Sequence, residues 1–405
     1  MRLLFLNPIG NVGGAERVLL AAVAGVRREW PDAAVRVVML SEGPLVAAVR
    51  ALGAEAGVVP LPAALGALGD SATRGGKPRL LGRAVLGLPA LAAFARRLRG
   101  VVTRFRPDLV HSNGIKTHLL SRLAVPAGVP VVWHVHDFTG SRRAAGWLLR
   151  RARSRVRVAV AISRAVAEDA RRVLPGVPVE VVPNAVDLAR FAPGPGDGAD
   201  LDRRAGLPPA PAGTVRVGLV ATYARWKGHL AFLDAAAKLL REAPALSVRW
   251  YVVGGPIYHT AAQFTEAELR SAAEARGLAD RVAFVPFADD PAPVYRALDV
   301  VVHASTQPEP FGLTVAEAMA CGRAVVVSAA GGAAELFTDD EDALGAGPGN
   351  VDQLAAAVRR LIEDASLRDR LGAAARYTAV ERFDANRYGP QLCRVYQGIT
   401  ARAAT

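Results

Sequence analysis

The chain has 405 residues, 51% of them hydrophobic. That excludes a disordered chain and suits two α/β domains of about 200 residues each. Only two cysteines are present, Cys321 and Cys393, which excludes a disulfide framework and points to a reduced, cytoplasmic compartment. The net charge of +13 is unevenly placed, with 28 Lys+Arg against 12 Asp+Glu in residues 1–190 and 22 against 25 in residues 191–405, so the first half is expected to face something anionic.

In chain order, the opening apolar run is broken by Asn7, Pro8 and Gly10. It is shorter than the roughly 7–15 apolar residues of a signal segment and reads as a first strand, Arg2–Leu6. A loop with Gly13, Gly14 and Glu16 follows. Paired glycines let a backbone approach closely, and the next helix N-terminus can face a phosphate, although the spacing is not that of a dinucleotide fingerprint. Val35–Leu40 is the second strand. Residues 71–107 carry nine Lys+Arg and no acid, and Leu91, Phe94, Leu98, Val101 and Phe105 form one apolar stripe at helical spacing. The charge-free stretch Ala84–Ala95 is shorter than the about 20 residues of a membrane span. Strands Asp108–His111 and Val131–Val135 end in polar residues, His111 on one and His136-Asp137 on the other. Alternation puts His134 and His136 on the same side. Residues 138–167 add eight arginines, no acid, and Trp147, Leu148 and Leu149. Two readings compete for this basic half: a solvated face, or attraction to an anionic acceptor or lipid through a cluster such as Arg150, Arg151, Arg153 and Arg155. Nucleic acid ranks low, since no RNP, KH or helix-turn-helix signature is evident. Strand Val158–Ile162 precedes the break at Pro183–Asp187 and the Pro/Gly-rich linker from Phe191 to Gly198.

The second half begins afresh with strands Val215–Val220, Val248–Val253, Val282–Val285, Val300–His303 and Ala324–Val327. Strand–helix alternation throughout argues for parallel sheets. Arg225-Trp226-Lys227-Gly228-His229 follows the first of these strands and could neutralise a diphosphate. Asp200-Leu201-Asp202 has the form of a metal-binding D-x-D but reads as a solvated turn. His303 reads as a core or strand-end histidine. No Cys/His group has zinc spacing, so no metal or other cofactor is expected. From Pro308 to Gly322 runs P-E-P-F-G-L-T-V-A-E-A-M-A-C-G. It places Glu309 in a loop, starts a helix near Leu313 whose free N–H groups favour an anion, and puts Glu317 one turn inside. Gly331–Glu335 is a glycine-rich turn with a glutamate, and Tyr388–Ala401 reads as a terminal helix.

This segment resembles the E-x7-E signature of glycosyltransferase family 4, retaining enzymes of the GT-B fold, and further motifs follow in the family's order over nearly the whole chain. The resemblance implies two doubly wound Rossmann-like domains facing a cleft: 1–190 binding acceptor, 191–385 binding a nucleotide-sugar, and 386–405 a helix crossing back to the first domain. It implies that Glu309 contacts the donor sugar and Glu317 the ribose. Backbone groups at Phe311, Gly312 and Leu313 would hold sugar and phosphate, those near Phe287 would read the base, and Gly13 and Gly14 would lie near the phosphates. His111 would line the catalytic centre with Lys227 and Arg225. The family's usual arginine position is Thr222 here, so Arg225 is a substitute for it. Glu16, His136 and Asp137 are the acceptor-side candidates. The expected reaction moves a hexose-type sugar, without metal, from a UDP-sugar or alternatively a GDP-sugar to a small-molecule, lipid-linked or glycan hydroxyl, with an anionic membrane as a further candidate partner. The rivals are a nucleotide-sugar epimerase of the same fold and a non-enzymatic anion- or membrane-binding protein.

Overall fold

The computed structural model describes residues 1–66, 77–256, 261–288 and 290–404. Part of the basic run 71–107, and Asp289, lie outside the described residues. Two compact units divide the chain: Met1–Ala185 together with Ala385–Thr405, and Val186–Asp384.

The first unit is built on seven parallel strands: β1 (Arg2–Asn7), β2 (Ala34–Met39), β3 (Glu55–Val58), β4 (Leu109–Asn113), β5 (Val131–Val135), β6 (Val156–Ala161) and β7 (Val179–Val181). Their order is β3-β2-β1-β4-β5-β6-β7. Leu3, Leu4, Phe5 and Leu6 are all fully buried, as a strand covered on both faces requires. The terminal helix Ala385–Ala404 packs against the helix Gly14–Glu29. The two backbones nearly touch: a Cβ on Gly25 would lie 2.5 Å from the Gly389 Cα, so only glycine fits at that crossing. Tyr396 of the same helix is fully buried, and its hydroxyl shares a hydrogen bond with His111 Nδ1 at 2.7 Å. His111 Nε2 in turn shares a hydrogen bond with His134 Nδ1 at 3.2 Å.

The second unit has six parallel strands: β8 (Val215–Val220), β9 (Val248–Gly254), β10 (Val282–Pro286), β11 (Val300–His303), β12 (Ala324–Ser328) and β13 (Leu344–Ala346), in the order β10-β9-β8-β11-β12-β13. Trp250, Phe232, Leu233, Leu239 and Leu361 anchor its core. In both sheets the chain reverses its direction of growth beside the first strand, between β1 and β4 and between β8 and β11. Ligands of open α/β sheets bind at such a point, outside the carboxyl ends of the strands.

β3, β7 and β13 have no counterpart in the sequence reading, and each is a sheet edge of four residues or fewer. An edge strand pairs on one side only and needs no long apolar run. The Pro/Gly-rich stretch after Phe191 is not a free spacer: a Cβ on Gly196 would meet the Arg296 carbonyl oxygen at 1.9 Å, so the stretch is packed into the second unit. Asp202 is not in a solvated turn either. It sits fully buried in the helix Gly198–Arg204, where it accepts from Tyr251 Oη, Arg249, Arg216 and the Ala210 N–H. Those donors outweigh burial and hold its carboxyl below the usual range, so Asp202 pins this helix to β9 as an ionised anchor.

His111, His118, His134 and His136 cluster around β4 and β5, and burial lowers all four pKa values, His111 to about 3 and His136 to about 4, from an ordinary 6.5. The folded state keeps these rings neutral, so below pH 6.5 the unfolded chain binds more protons. Stability of the first unit should be complete above that pH and fall as pH drops towards 4, by about 1.4 kcal/mol per pH unit for each histidine involved. Thermal melts at pH 8, 6 and 5 check this, and a melting temperature flat across that range would contradict it.

Candidate active site

In the second unit the site grows from two loops locked together beyond β8 and β11. After β8 the chain turns at Arg225–Lys227, and Gly228 follows at φ +79°, opening the helix His229–Glu242. A Cβ at Gly228 would lie 1.7 Å from the Ala304 carbonyl oxygen, so this position requires glycine. Thr306 closes the contact, donating its N–H to the Trp226 carbonyl at 2.8 Å. The loop after β11 is clamped on its other side, where the Gly332 N–H donates to the Glu309 carbonyl at 2.7 Å and the Glu309 N–H to the Ala330 carbonyl at 3.2 Å.

These clamps bring Lys227 Nζ to 2.7 Å from Glu309 Oε2. Ser305 Oγ donates to the same oxygen at 3.0 Å, and His303 Nε2 lies 3.2 Å from it. Glu309 is only 7% exposed. Burial alone would push its pKa up, but the Lys227 charge and the His303 hydrogen bond bring it down to about 2, and it stays ionised at every physiological pH. Next comes Phe311, whose ring is buried against Phe383 and which offers only its backbone. Gly312, at φ +102°, is the N-cap of the helix Leu313–Ala320, so free amide groups of Leu313 and its neighbours open towards the Glu309 loop. Glu317, on the second turn, is buried and accepts from Tyr295 Oη at 2.9 Å. Phe287, half exposed, follows the end of β10.

The first unit carries a neutral counterpart at its own reversal point. Asn113 Nδ2, at the end of β4, donates to Asn7 Oδ1, at the end of β1, at 2.6 Å. Asn113 Oδ1 takes a hydrogen bond from His136 Nε2, beyond β5. Asn7 Nδ2 reaches Glu16 Oε1 at 3.3 Å, and the Gly13 N–H donates to Glu16 Oε2 at 3.1 Å. Gly13, Glu16 and His136 thus meet in one network through Asn7 and Asn113, and Gly14 follows as the first residue of the helix Gly14–Glu29.

Four of the expected site residues hold partners of their own. His111 is fully buried with one ring nitrogen on Tyr396 and the other on His134, so its ring has no atom to offer a sugar hydroxyl. Arg225 does not join Lys227 and Glu309: it pairs with Glu268 at 2.9 Å, bonds the Ala261 carbonyl and lies over the Phe264 ring. Glu16 is 5% exposed and turns back to cap its own helix. Asp137 accepts from Arg142 and from the Phe138 N–H. In the other direction His303, set aside as core, touches Glu309, and Ser305, Tyr295, Asn7 and Asn113 complete the two networks. Asn113 was accessible from alternation: it lies two residues past His111, on the same face and nearer the strand's carboxyl end. His303 and Tyr295 carry no comparable signal, because their role depends on which strands are neighbours.

Over 98% of its length the chain is similar to the whole of HepE from Anabaena, in its complex with UDP-glucose, with a TM-score of 0.79 and 26% identity. Over 99% it is similar to the whole of sucrose-phosphate synthase from Thermosynechococcus elongatus, with a TM-score of 0.76 and 20% identity, a likeness that bears on the fold alone. With two parallel Rossmann-like sheets of this order, the fold is that of the GT-B glycosyltransferases. Residues 12–190 match the family described as Glycosyltransferase Family 4, and residues 209–378 the family described as Glycosyl transferases group 1. The chain belongs to glycosyltransferase family 4. The D-inositol 3-phosphate glycosyltransferase of Salinispora arenicola is 35% identical over 226 residues, 54% of this chain and 49% of that protein, so the chain spans about half the length of the curated relatives it matches.

Gly228→Ala should separate the two loops. Left-handed backbone at a non-glycine residue costs of order 1–3 kcal/mol, before the clash with Ala304 is counted. The variant should unfold at lower denaturant concentration and lose activity out of proportion to that shift. Wild-type stability in the variant would show that the loops are not locked through this residue.

Proposed function

We propose that this chain transfers a hexose-type sugar from a UDP-linked donor to a hydroxyl acceptor, with retention of the anomeric configuration and without a metal ion. The observation that carries the proposal is the buried Lys227–Glu309 pair beside the open N-terminus of the helix Leu313–Ala320. A diphosphate laid against that N-terminus meets free amides, with Lys227 close by as its counter-charge. As the bond from the anomeric carbon to the phosphate oxygen breaks, Lys227 takes up the growing negative charge that a metal would otherwise balance. Glu309 accepts hydrogen bonds from sugar hydroxyls. Glu317, steadied by Tyr295, accepts from a ribose hydroxyl.

Both carboxylates already accept hydrogen bonds from protein donors, which suits them to orient hydroxyls rather than attack carbon. The acceptor oxygen then bonds to the anomeric carbon on the face the phosphate leaves, and the acceptor's proton passes to the departing phosphate oxygen. Within the first unit, His136, Asn113 and Asp137 are the candidates for binding an acceptor hydroxyl. A uridine donor is favoured by the likeness to HepE, whose structure holds UDP-glucose. A GDP-sugar is the alternative.

Activity should survive excess EDTA, since Lys227 supplies the charge. Turnover that disappears and returns with Mg²⁺ or Mn²⁺ would refute the metal-free reading.

The two glutamates should separate in calorimetry with free UDP. Glu317→Ala removes a charged acceptor worth roughly 1.5–3 kcal/mol and should weaken UDP binding accordingly. Glu309→Ala releases Lys227 from its ion pair, so UDP binding should hold or tighten while turnover and sugar selectivity fall. Equal losses of UDP affinity in both variants would sink the division of labour.

A further inference from the structure

The basic character of the first unit is concentrated by the fold. With its terminal helix included, this unit holds 30 Lys+Arg against 11 Asp+Glu, while the second holds 20 against 26. Three of its helices, Lys77–Phe105, Ile115–Ala124 and Arg143–Ala152, lie in sequence, the first against the second and the second against the third. Together they carry 12 Lys+Arg and no Asp or Glu. On the third helix Gly146, Leu149 and Ala152 are buried, and the opposite face presents Arg143, Trp147, Leu148, Arg150 and Arg151. Trp147 is 55% exposed and Leu148 43%. Leu88 on the first helix and Leu123 on the second are exposed as well, so four of the first unit's five exposed large hydrophobics, among the described residues, belong to these three helices.

The arginines divide by what they already hold. Arg153 bonds the carbonyls of Pro175 and Arg150, and Arg155 the carbonyl of Val125, so these two are fixed to backbone. Arg142 pairs with Asp137. Among the described residues, Arg143 and Arg150 face solvent without a carboxylate partner, and Arg151 lies over the Trp147 ring at 4.3 Å. Arg96, Arg97 and Arg99 are exposed on the first helix. The cluster pointed to by sequence alone, Arg150 to Arg155, is therefore only half available.

We propose that this three-helix face docks on an anionic lipid bilayer, with Trp147 and Leu148 set at headgroup level and Arg143, Arg150 and Arg151 on the lipid phosphates. Free cations answer anionic headgroups, and a tryptophan with adjacent leucine is the pair that gains from the interface. Exposed leucines on all three helices favour lipid over a nucleic acid, which would stack on Trp147 but gain little from Leu88, Leu123 or Leu148. No helix among the described residues is long and apolar enough to cross a membrane, so the contact is with the surface.

The test is co-sedimentation of the full chain with vesicles of equal parts phosphatidylglycerol and phosphatidylcholine, and with phosphatidylcholine alone, at low and at physiological salt. A single-stranded oligonucleotide serves as a soluble polyanion. Binding should be confined to the anionic vesicles and weaken as salt rises. Arg143→Ser/Arg150→Ser/Arg151→Ser should weaken it by on the order of a hundredfold, at about fivefold per cation removed. Trp147→Ser/Leu148→Ser should weaken it while leaving oligonucleotide binding unchanged. All five residues are exposed, so each variant should keep the wild-type melting temperature, and quenching of Trp147 emission by brominated lipid in the wild-type protein provides a readout independent of the variants. Absence of binding to anionic vesicles, or binding that the Trp147/Leu148 variant retains in full, overturns the proposal. So does oligonucleotide binding without vesicle binding, which would make the face a site for soluble polyanions.

Discussion

Glu309 is an ionised carboxylate almost closed off from water, and Lys227 is the reason it can be. A buried charge without a partner would take up a proton or unfold its surroundings. Every local feature of the second unit's site serves to keep these two groups 2.7 Å apart. The left-handed Gly228 lets the Lys227 loop press on Ala304, Thr306 ties that loop to Trp226, and Gly331 with Gly332 holds the backbone of Glu309 from the far side. A buried ion pair contributes little net stability, because desolvation offsets the attraction. Its value here is that it can be exchanged. On the proposed function, an incoming diphosphate would compete with Glu309 for Lys227 and free the carboxylate to accept from sugar hydroxyls.

The two units solve the same topological problem with opposite electrostatics. Each opens a crevice where the strand order reverses. The second places Lys227, Glu309 and Glu317 there, with Glu309 ionised. The first uses neutral amides and imidazoles: Asn7, Asn113 and His136, backed by His134 and His111. Burial holds these imidazoles neutral, so they serve as hydrogen-bonding groups rather than charges. A hydroxyl acceptor needs alignment and a partner for its proton, not a counter-ion. A diphosphate needs a counter-ion above all.

How far the sequence announced this depends on the kind of information each residue carries. The central strands were readable because a strand buried on both faces must be apolar throughout, and Leu3–Leu6 and Val300–Val302 are. β3, β7 and β13 were not, because an edge strand of three or four residues carries no such demand. Lys227, Glu309, Glu317 and Gly312 stood out because their spacing sits on single loops and helix starts. The surroundings of His111 were not legible: its ring nitrogen meets Tyr396, 285 residues away. The pairing of Arg225 was not legible either, because Glu268, which engages it, comes from a distant helix. Charge excess in the first half was legible, but which arginines are free was not, since the competitors of Arg153 and Arg155 are backbone carbonyls from other elements.

The His111–Tyr396 contact also orders the assembly of the chain. The second unit is continuous in sequence, from Val186 to Asp384, and all its core contacts can form without the rest. The first unit is not: its sheet comes from the beginning of the chain and its last helix from the end. Until that helix docks, the Gly25 surface has no partner, and His111 Nδ1 is a polar atom facing an apolar face of the sheet. Leaving a buried polar atom unpaired costs about 1–3 kcal/mol, whereas the entropy of closing a long loop grows only with the logarithm of its length. A folded second unit shortens that closure further by bringing Asp384 and Val186 together, which the Val186–Phe383 backbone hydrogen bond at 2.7 Å does directly. Folding of the second unit therefore lowers the cost of completing the first, and the neutral histidine network that would face the acceptor is finished only when the last helix is in place.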